Sequence, residues 1–237
     1  MTIGVVLAGG ASTHQHVPGW LHDPSVACLV VAADSGLDLA QRLGVDVDLL
    51  VGDLDSVSAS ALGRARRDGV EILEYPSDKD ATDLELALGI AIEELGRDHG
   101  SGRDHGSVGE SNRIVVLGGA GGRLDHLLGN VALLASMSTL HGVAIEAYLG
   151  GAYVAVVDSA LQPRWSATVR SGAMLSVMAW SPEAVVSESG VRWTLRSHRL
   201  RAGSTLGISN EALGGEVVVS VDEGVTLVVI PDAEVLS

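Results

Sequence analysis

Three aspartate clusters stand out by type and spacing: Asp34 before Ser35-Gly36, Asp53 and Asp55 within Gly52-Asp53-Leu54-Asp55-Ser56, and Asp78, Asp80 and Asp83 around Lys79 and Thr82. Residues two apart on an extended chain share a side, which pairs Asp53 with Asp55. Residues three apart on a helix are neighbours, which pairs Asp80 with Asp83. Taken singly, each cluster has an ordinary explanation, since Asp and Thr cap helices and Asp and Gly form turns. Gathered in one crevice, four or five carboxylates repel one another, and a cation relieves that cost. An all-oxygen set without Cys or His suits Mg²⁺ better than zinc. Lys79 is the only lysine among 15 basic residues. It either pairs with the neighbouring aspartates or offers a compact charge to a phosphate oxygen.

A fourth element, Gly118-Gly119-Ala120-Gly121-Gly122-Arg123-Leu124-Asp125-His126, has glycines that admit an anion to the backbone and an arginine able to grip phosphate with two hydrogen bonds. It is not a Walker A loop, because no Lys-Ser/Thr follows. It is not a dinucleotide fingerprint, because Leu124 stands where the last glycine belongs. Neither a Gly-x-Ser-x-Gly elbow nor a His-Glu-x-x-His pair occurs, so the signatures of hydrolase triads and zinc proteases are missing. His126 reads as a buried, hydrogen-bonded histidine rather than a catalyst.

These residues need elements to hold them. β-branched runs at 3–7, 27–33, 49–51, 114–117 and 144–149 alternate with helical periods at 37–43, 58–68, 82–95 and 124–139. That alternation predicts βαβ units and a mostly parallel sheet with flanking helices, whose strand ends line a ligand crevice. From about residue 151 the texture changes to short strands (153–158, 173–180, 191–195, 216–221, 225–230) between Gly, Ser and Pro turns. The fold expected is therefore α/β plus all-β: a mostly parallel sheet with flanking helices over 1–150, a separate small sandwich or barrel over 151–237, and a hinge at Gly150–Gly151. The tandem Gly-Arg-Asp-His-Gly-Ser repeat over 96–107 reads as a surface loop.

Bulk properties narrow the class. The chain has 237 residues, 46% of them hydrophobic, enough for real cores. Thirty acids against 15 bases give a net charge of −15, which weighs against nucleic acid or anionic membrane as partner. An acidic protein still holds a phosphorylated substrate when a divalent cation intervenes. No apolar run is long enough to span a bilayer, and no basic residue precedes the first apolar stretch, so neither a membrane anchor nor a secretory signal is expected. The single cysteine, Cys28, suits a reducing cytoplasm.

The four elements in this order resemble the thiamine pyrophosphokinase (thiamine diphosphokinase) family. The resemblance rests on Ala33-Asp34-Ser35-Gly36, Val51-Gly52-Asp53-Leu54-Asp55-Ser56, Lys79-Asp80-Ala81-Thr82-Asp83-Leu84-Glu85 and Gly122-Arg123-Leu124-Asp125-His126. Gly190-Val191-Arg192-Trp193 and Gly207-Ile208-Ser209-Asn210-Glu211 resemble its thiamine-side motifs. Ser35, Leu37 and Thr194 depart from the usual residues, and the tandem repeat looks like an insertion. The resemblance implies a Rossmann-like nucleotide- and Mg²⁺-binding catalytic domain over 1–150 and a C-terminal β-sandwich over 151–237 for thiamine binding and dimerisation. It implies transfer of pyrophosphate from ATP to the hydroxyl of thiamine with Mg²⁺, and a homodimer whose sites lie between subunits. It implies that Asp53, Asp55, Asp80 and Asp83 hold Mg²⁺ or position the hydroxyl, with Asp55, Asp80, Asp83 and Lys79 catalytic. Asp34, Ser35, Thr82, Arg123 and Asp125 surround the nucleotide phosphates on this reading, and Trp193, Ser209 and Asn210 hold thiamine. Which of Asp80 and Asp83 accepts the hydroxyl proton is left open. A kinase of the same fold acting on another alcohol, and a non-catalytic sensor, remain as alternatives.

Overall fold

The computed structural model describes residues 2–10, 16–97 and 113–236. The tandem repeat lies, from Asp98 onward, outside the described residues. The first part of the chain runs β1 (Ile3–Ala8), β2 (Cys28–Ala33), α1 (Gly36–Leu43), β3 (Leu49–Gly52), α2 (Ala59–Asp68), β4 (Glu71–Glu74), α3 (Asp83–Arg97), β5 (Arg113–Gly118), α4 (Leu124–His141) and β6 (Ala144–Leu149). Then follow β7 (Ala152–Asp158), β8 (Arg164–Val169), β9 (Met174–Ala179), β10 (Glu183–Ser189), β11 (His198–Arg201), β12 (Asn210–Glu211), β13 (Gly215–Glu223) and β14 (Val225–Ile230).

A ten-stranded sheet has the order β12-β9-β14-β7-β6-β5-β1-β2-β3-β4, and a four-stranded sheet the order β11-β10-β13-β8. From β6 to β4 the large sheet is parallel; from β7 to β12 it is antiparallel. Alternation along the strands separates two cores. In β1, Val5 and Leu7 face a core shared with α1 and the small sheet, while Val6 faces the core under α3 and α4. Helix α3 buries Leu84, Ala87, Leu88, Ala91 and Leu95, the stripe that its sequence period announces. A fully buried leucine such as Leu88 contributes roughly 1.5–3 kcal/mol by leaving water.

Two sequence expectations change. Residues 191–195 do not form a strand; only Val191 makes an isolated bridge, to Ala212. Gly190 turns the chain at φ 77°, and the Asn210 side chain bonds both backbone groups of Trp193, replacing ladder partners. Gly150–Gly151 is a tight hairpin rather than a hinge, because Leu149 and Ala152 pair across it and the large sheet continues through. Among the described residues no helix is long and apolar enough to cross a membrane.

Candidate functional site

β1 lies between β2 and β5, so chain connections leave it in opposite directions at the carboxyl ends of the parallel strands. Such a switch point opens a crevice. A cavity of about 320 Å³ lies at these strand ends, lined by Gly9 and Gly10 after β1, Asp34 and Ser35 after β2, Ser56, Thr82 and Asp83 at the start of α3, and Gly119, Gly121, Arg123, His126 and Asn130. The glycines after β1 escaped the sequence reading. A Cβ on Gly10 would sit 2.3 Å from the carbonyl oxygen of Ala120, so only glycine lets the β1 and β5 loops approach this closely. Asn130, also unnoticed in the sequence, fixes the second loop by donating to the Gly119 carbonyl at 3.0 Å.

Carboxylate oxygens of Asp34, Asp53 and Asp83 lie within 4.8 Å of one another. Asp34 sits in the left-handed region at φ 46°, and Leu54 at φ 63°, both uncommon for such residues and a mark of a constrained turn. Asp34 is 8% exposed; its Oδ2 accepts from the Ser56 hydroxyl, and its buried Oδ1 has no hydrogen-bond donor among the described residues. Burial pushes its carboxyl above the ordinary aspartate value, with the Asp83 and Asp53 charges adding to the effect and the Ser56 hydrogen bond opposing it. Lys79 lies 3.1 Å from Asp83 and 3.4 Å from Asp53. For Asp53, burial raises the carboxyl, but hydrogen bonds from Ser77, the Asp55 N–H and Lys79 outweigh it, and the net direction is down. Burial likewise opposes the charge on Lys79, and the two aspartates more than restore it.

The gathered group is therefore not the one that spacing suggested. Asp55 and Asp80 are both exposed and stand outside the trio. The left-handed Leu54 breaks the extended alternation that would set Asp55 beside Asp53. Helix α3 begins only at Asp83, so Asp80 lies before the helix and helical spacing does not apply to it. Asp34, placed beside the nucleotide phosphates by the resemblance, lines the cavity and also joins the carboxylates. Thr82 lines the cavity and caps α3, its hydroxyl accepting from the Glu85 N–H at 3.2 Å. Arg123 is exposed and grips Asp125 with two hydrogen bonds, one of them 3.1 Å from Nε to Oδ1. That grip holds the Asp125 carboxyl down at about 2. His126 is exposed at the cavity wall, not buried as its helical position suggested.

The motifs of the second half meet at one place. Trp193 is 57% exposed, with the Arg192 guanidinium 5.0 Å from its ring centre. Ser209 is exposed at φ 62°, its N–H donating to Ser176 Oγ at 3.0 Å. Asn210 is buried and points inward. Its Oδ1 accepts from the Trp193 N–H at 3.1 Å and the Glu211 N–H at 2.9 Å, and its Nδ2 donates to the Trp193 carbonyl at 2.9 Å. It shapes the Trp193 turn and is not open to a ligand.

What the cleft can do is hold a cation among three carboxylates beside a lysine, at a glycine-lined pocket sized for phosphates. Comparison with known proteins identifies a family. Residues 24–146 match the family model described as thiamin pyrophosphokinase, catalytic domain, and residues 165–226 match thiamin pyrophosphokinase, vitamin B1 binding domain. A thiamine pyrophosphokinase of Bacillus subtilis is 28% identical over 133 residues, 56% of this chain and 54% of that protein. Thiamine pyrophosphokinase 1 of Oryza sativa is 25% identical over 170 residues, 71% of this chain and 60% of that protein. Both matches thus span little more than half of the relative. The crystal structure of the Bacillus subtilis thiamine pyrophosphokinase superposes with a TM-score of 0.76 at 22% identity, over 97% of this chain and 98% of the other, and so shares the fold.

Proposed function

This chain belongs to the thiamine pyrophosphokinase family, and from that premise we propose that it transfers the pyrophosphoryl group of ATP to the hydroxyl of thiamine, giving thiamine diphosphate and AMP. The observation that carries the proposal is the Asp34–Asp53–Asp83 trio with Lys79 at a strand-end cleft, in the segment matched to the catalytic domain.

The residues fit a magnesium ion. Three carboxylates converge with oxygens within 4.8 Å of one another, an all-oxygen set of the kind that would hold Mg²⁺, and the buried Oδ1 of Asp34 has no donor among the described residues. When bound, Mg²⁺ supplies charge neutralisation to the polyphosphate. The reaction joins the thiamine hydroxyl oxygen to the β-phosphorus and breaks the bridge to the α-phosphorus. AMP leaves with the bridging oxygen and its electron pair, and the hydroxyl proton passes to a carboxylate, Asp83 or Asp80. Lys79, held between Asp53 and Asp83, is placed to offset charge on the transferred group. Arg123 is proposed to exchange Asp125 for a phosphate, with Ser35 and Thr82 as further phosphate contacts. Asp55 and Asp80, exposed beside the trio's segments, are assigned to the acceptor side.

Thiamine is assigned to Trp193 and Ser209 in the second part of the chain, 151–237, with a reducing cytoplasm as the setting. In one chain, β12 stands six to eight strand spacings from β1, β2 and β3, roughly 30–40 Å along the sheet at ~4.8 Å each. A homodimer, with one copy's Trp193 facing the other's carboxylates, closes that gap. Incubation with ATP, Mg²⁺ and thiamine, followed by chromatography, tests the reading. Thiamine diphosphate and AMP in equal amounts are expected; ADP, thiamine monophosphate, or binding without product overturns it.

A further inference from the structure

Glu188, on β10, is 4% exposed, and its Oε2 accepts from Asn210 Nδ2 at 3.3 Å while its Oε1 is buried without a partner among the described residues. Asn210 in turn bonds both backbone groups of Trp193. The three residues form one line from the sandwich interior to an exposed indole. A further bond, from the Glu188 N–H to the Leu195 carbonyl at 3.0 Å, ties the far side of the same turn to β10. We propose that Glu188 is a positioning residue for thiamine: through Asn210 it sets the Trp193 turn, and its ionisation loosens that turn. The proposal rests on the thiamine-side assignment above and deepens it.

The surroundings favour this role. Opposite Glu188 on β13 stands Val219, and the buried residues around it on that strand are Val217 and Val221. Across the sandwich, β9 buries Leu175 and Val177. Charged groups on the neighbouring elements are turned outward or engaged. On β11, His198, Arg199 and Arg201 are exposed, with Arg199 and Arg201 paired to Glu183 of β10. On β13, Glu216, Asp222 and Glu223 are exposed. Beside Asn210, Glu211 is engaged by Arg192 at 3.1 Å. Burial pushes the Glu188 carboxyl up to about 7, with the Asn210 hydrogen bond opposing. A charge there has one hydrogen bond and an apolar surround, so ionisation favours any movement that admits water.

The test combines kinetics with the fluorescence of Trp193, isolated by subtracting the spectrum of Trp193→Phe. Wild type should show a Trp193 transition between pH 6 and 8 and a thiamine KM that rises at least threefold across it, with the KM for ATP unchanged. Glu188→Gln keeps the acceptor and cannot ionise, so both transitions should vanish. Glu188→Ala should raise the thiamine KM at least fivefold at pH 6. A wild-type Trp193 signal flat with pH, or a Glu188→Gln protein that keeps the transition, overturns the proposal. If Glu188→Ala does not fold, the glutamine variant still decides. If wild type makes no thiamine diphosphate, the functional reading fails, while the Trp193 titration still reports on the coupling.

Discussion

At the residue scale the site is a balance of charges in which each aspartate has a different environment. Asp34 is buried beside Asp83 and Asp53, and its carboxyl is raised; Asp53 is lowered by its donors. A raised carboxyl keeps its proton to higher pH, and a cation competes with that proton. Mg²⁺ affinity should therefore begin to fall, as pH is lowered, at a higher pH than an ordinary aspartate would give. Calorimetry in buffers of different ionisation enthalpy, carried down into the acid range where the raised Asp34 carboxyl is partly protonated, should register proton release on Mg²⁺ binding that starts at a higher pH than an ordinary aspartate gives. No release anywhere in that range would remove Asp34 from the cation site. Asp53→Asn should lose about 100-fold or more in turnover while keeping its circular dichroism, since it weakens the hold on the cation that would neutralise the reacting phosphates, and electrostatic stabilisation of that kind is typically worth that much. Near-normal AMP formation by that variant would sink the cation site. Arg123→Ala should raise the KM for ATP about tenfold or more, the loss of charge-assisted hydrogen bonds, and leave stability nearly unchanged, because its pair with Asp125 is exposed. Spacing drew attention to Asp53 and Asp83 in the sequence, and Lys79 stood out as the only lysine. Spacing did not show that Asp55 and Asp80 stand outside the trio, because backbone conformation at Leu54 and the true start of α3 are not written in residue type.

At the element scale, the legible parts were those with strong periodicity and caps. Helix α3 shows its buried face directly, and α2 begins after Ser58, whose hydroxyl accepts from the Ala61 N–H. Strands with mixed burial were missed. β4 (Glu-Ile-Leu-Glu) has no fully buried residue, and β11 (His-Arg-Leu-Arg) has one, so neither carries a hydrophobic run to find. The close join of β1 to α1 was equally silent, and it depends on Gly36. A Cβ there would lie 1.9 Å from the Leu7 carbonyl oxygen and 2.6 Å from its carbon, both backbone atoms that cannot swing aside. Gly36→Ala should force α1 from β1, displace Asp34 and cost about 3 kcal/mol or more, as overpacking against a fixed backbone does. Urea unfolding checks this; a variant within 1 kcal/mol of wild type would mean that the join is looser than its geometry states.

At the scale of the whole molecule, the large sheet separates what the proposed chemistry needs to bring together. The carboxylates stand at the parallel end, and Trp193 and Ser209 belong to the opposite edge, where Met174, Trp180, Leu206, Ile208 and Leu213 are also exposed. Apolar side chains left open around a binding motif fit a surface that a second copy covers. Sedimentation velocity should therefore find a dimer, but that result alone does not say whether the copies share a site. Two inactive variants decide it. Asp53→Asn disables the phosphate end and Trp193→Ala the thiamine end. If each site takes one end from each subunit, a mixed dimer contains one doubly damaged site and one intact site. Unfolding and refolding the two together in equal amounts yields half mixed dimers, and about a quarter of wild-type activity should return. If both ends of a site came from one chain, every site in every dimer would carry one lesion, and the mixture would stay as inactive as its parts.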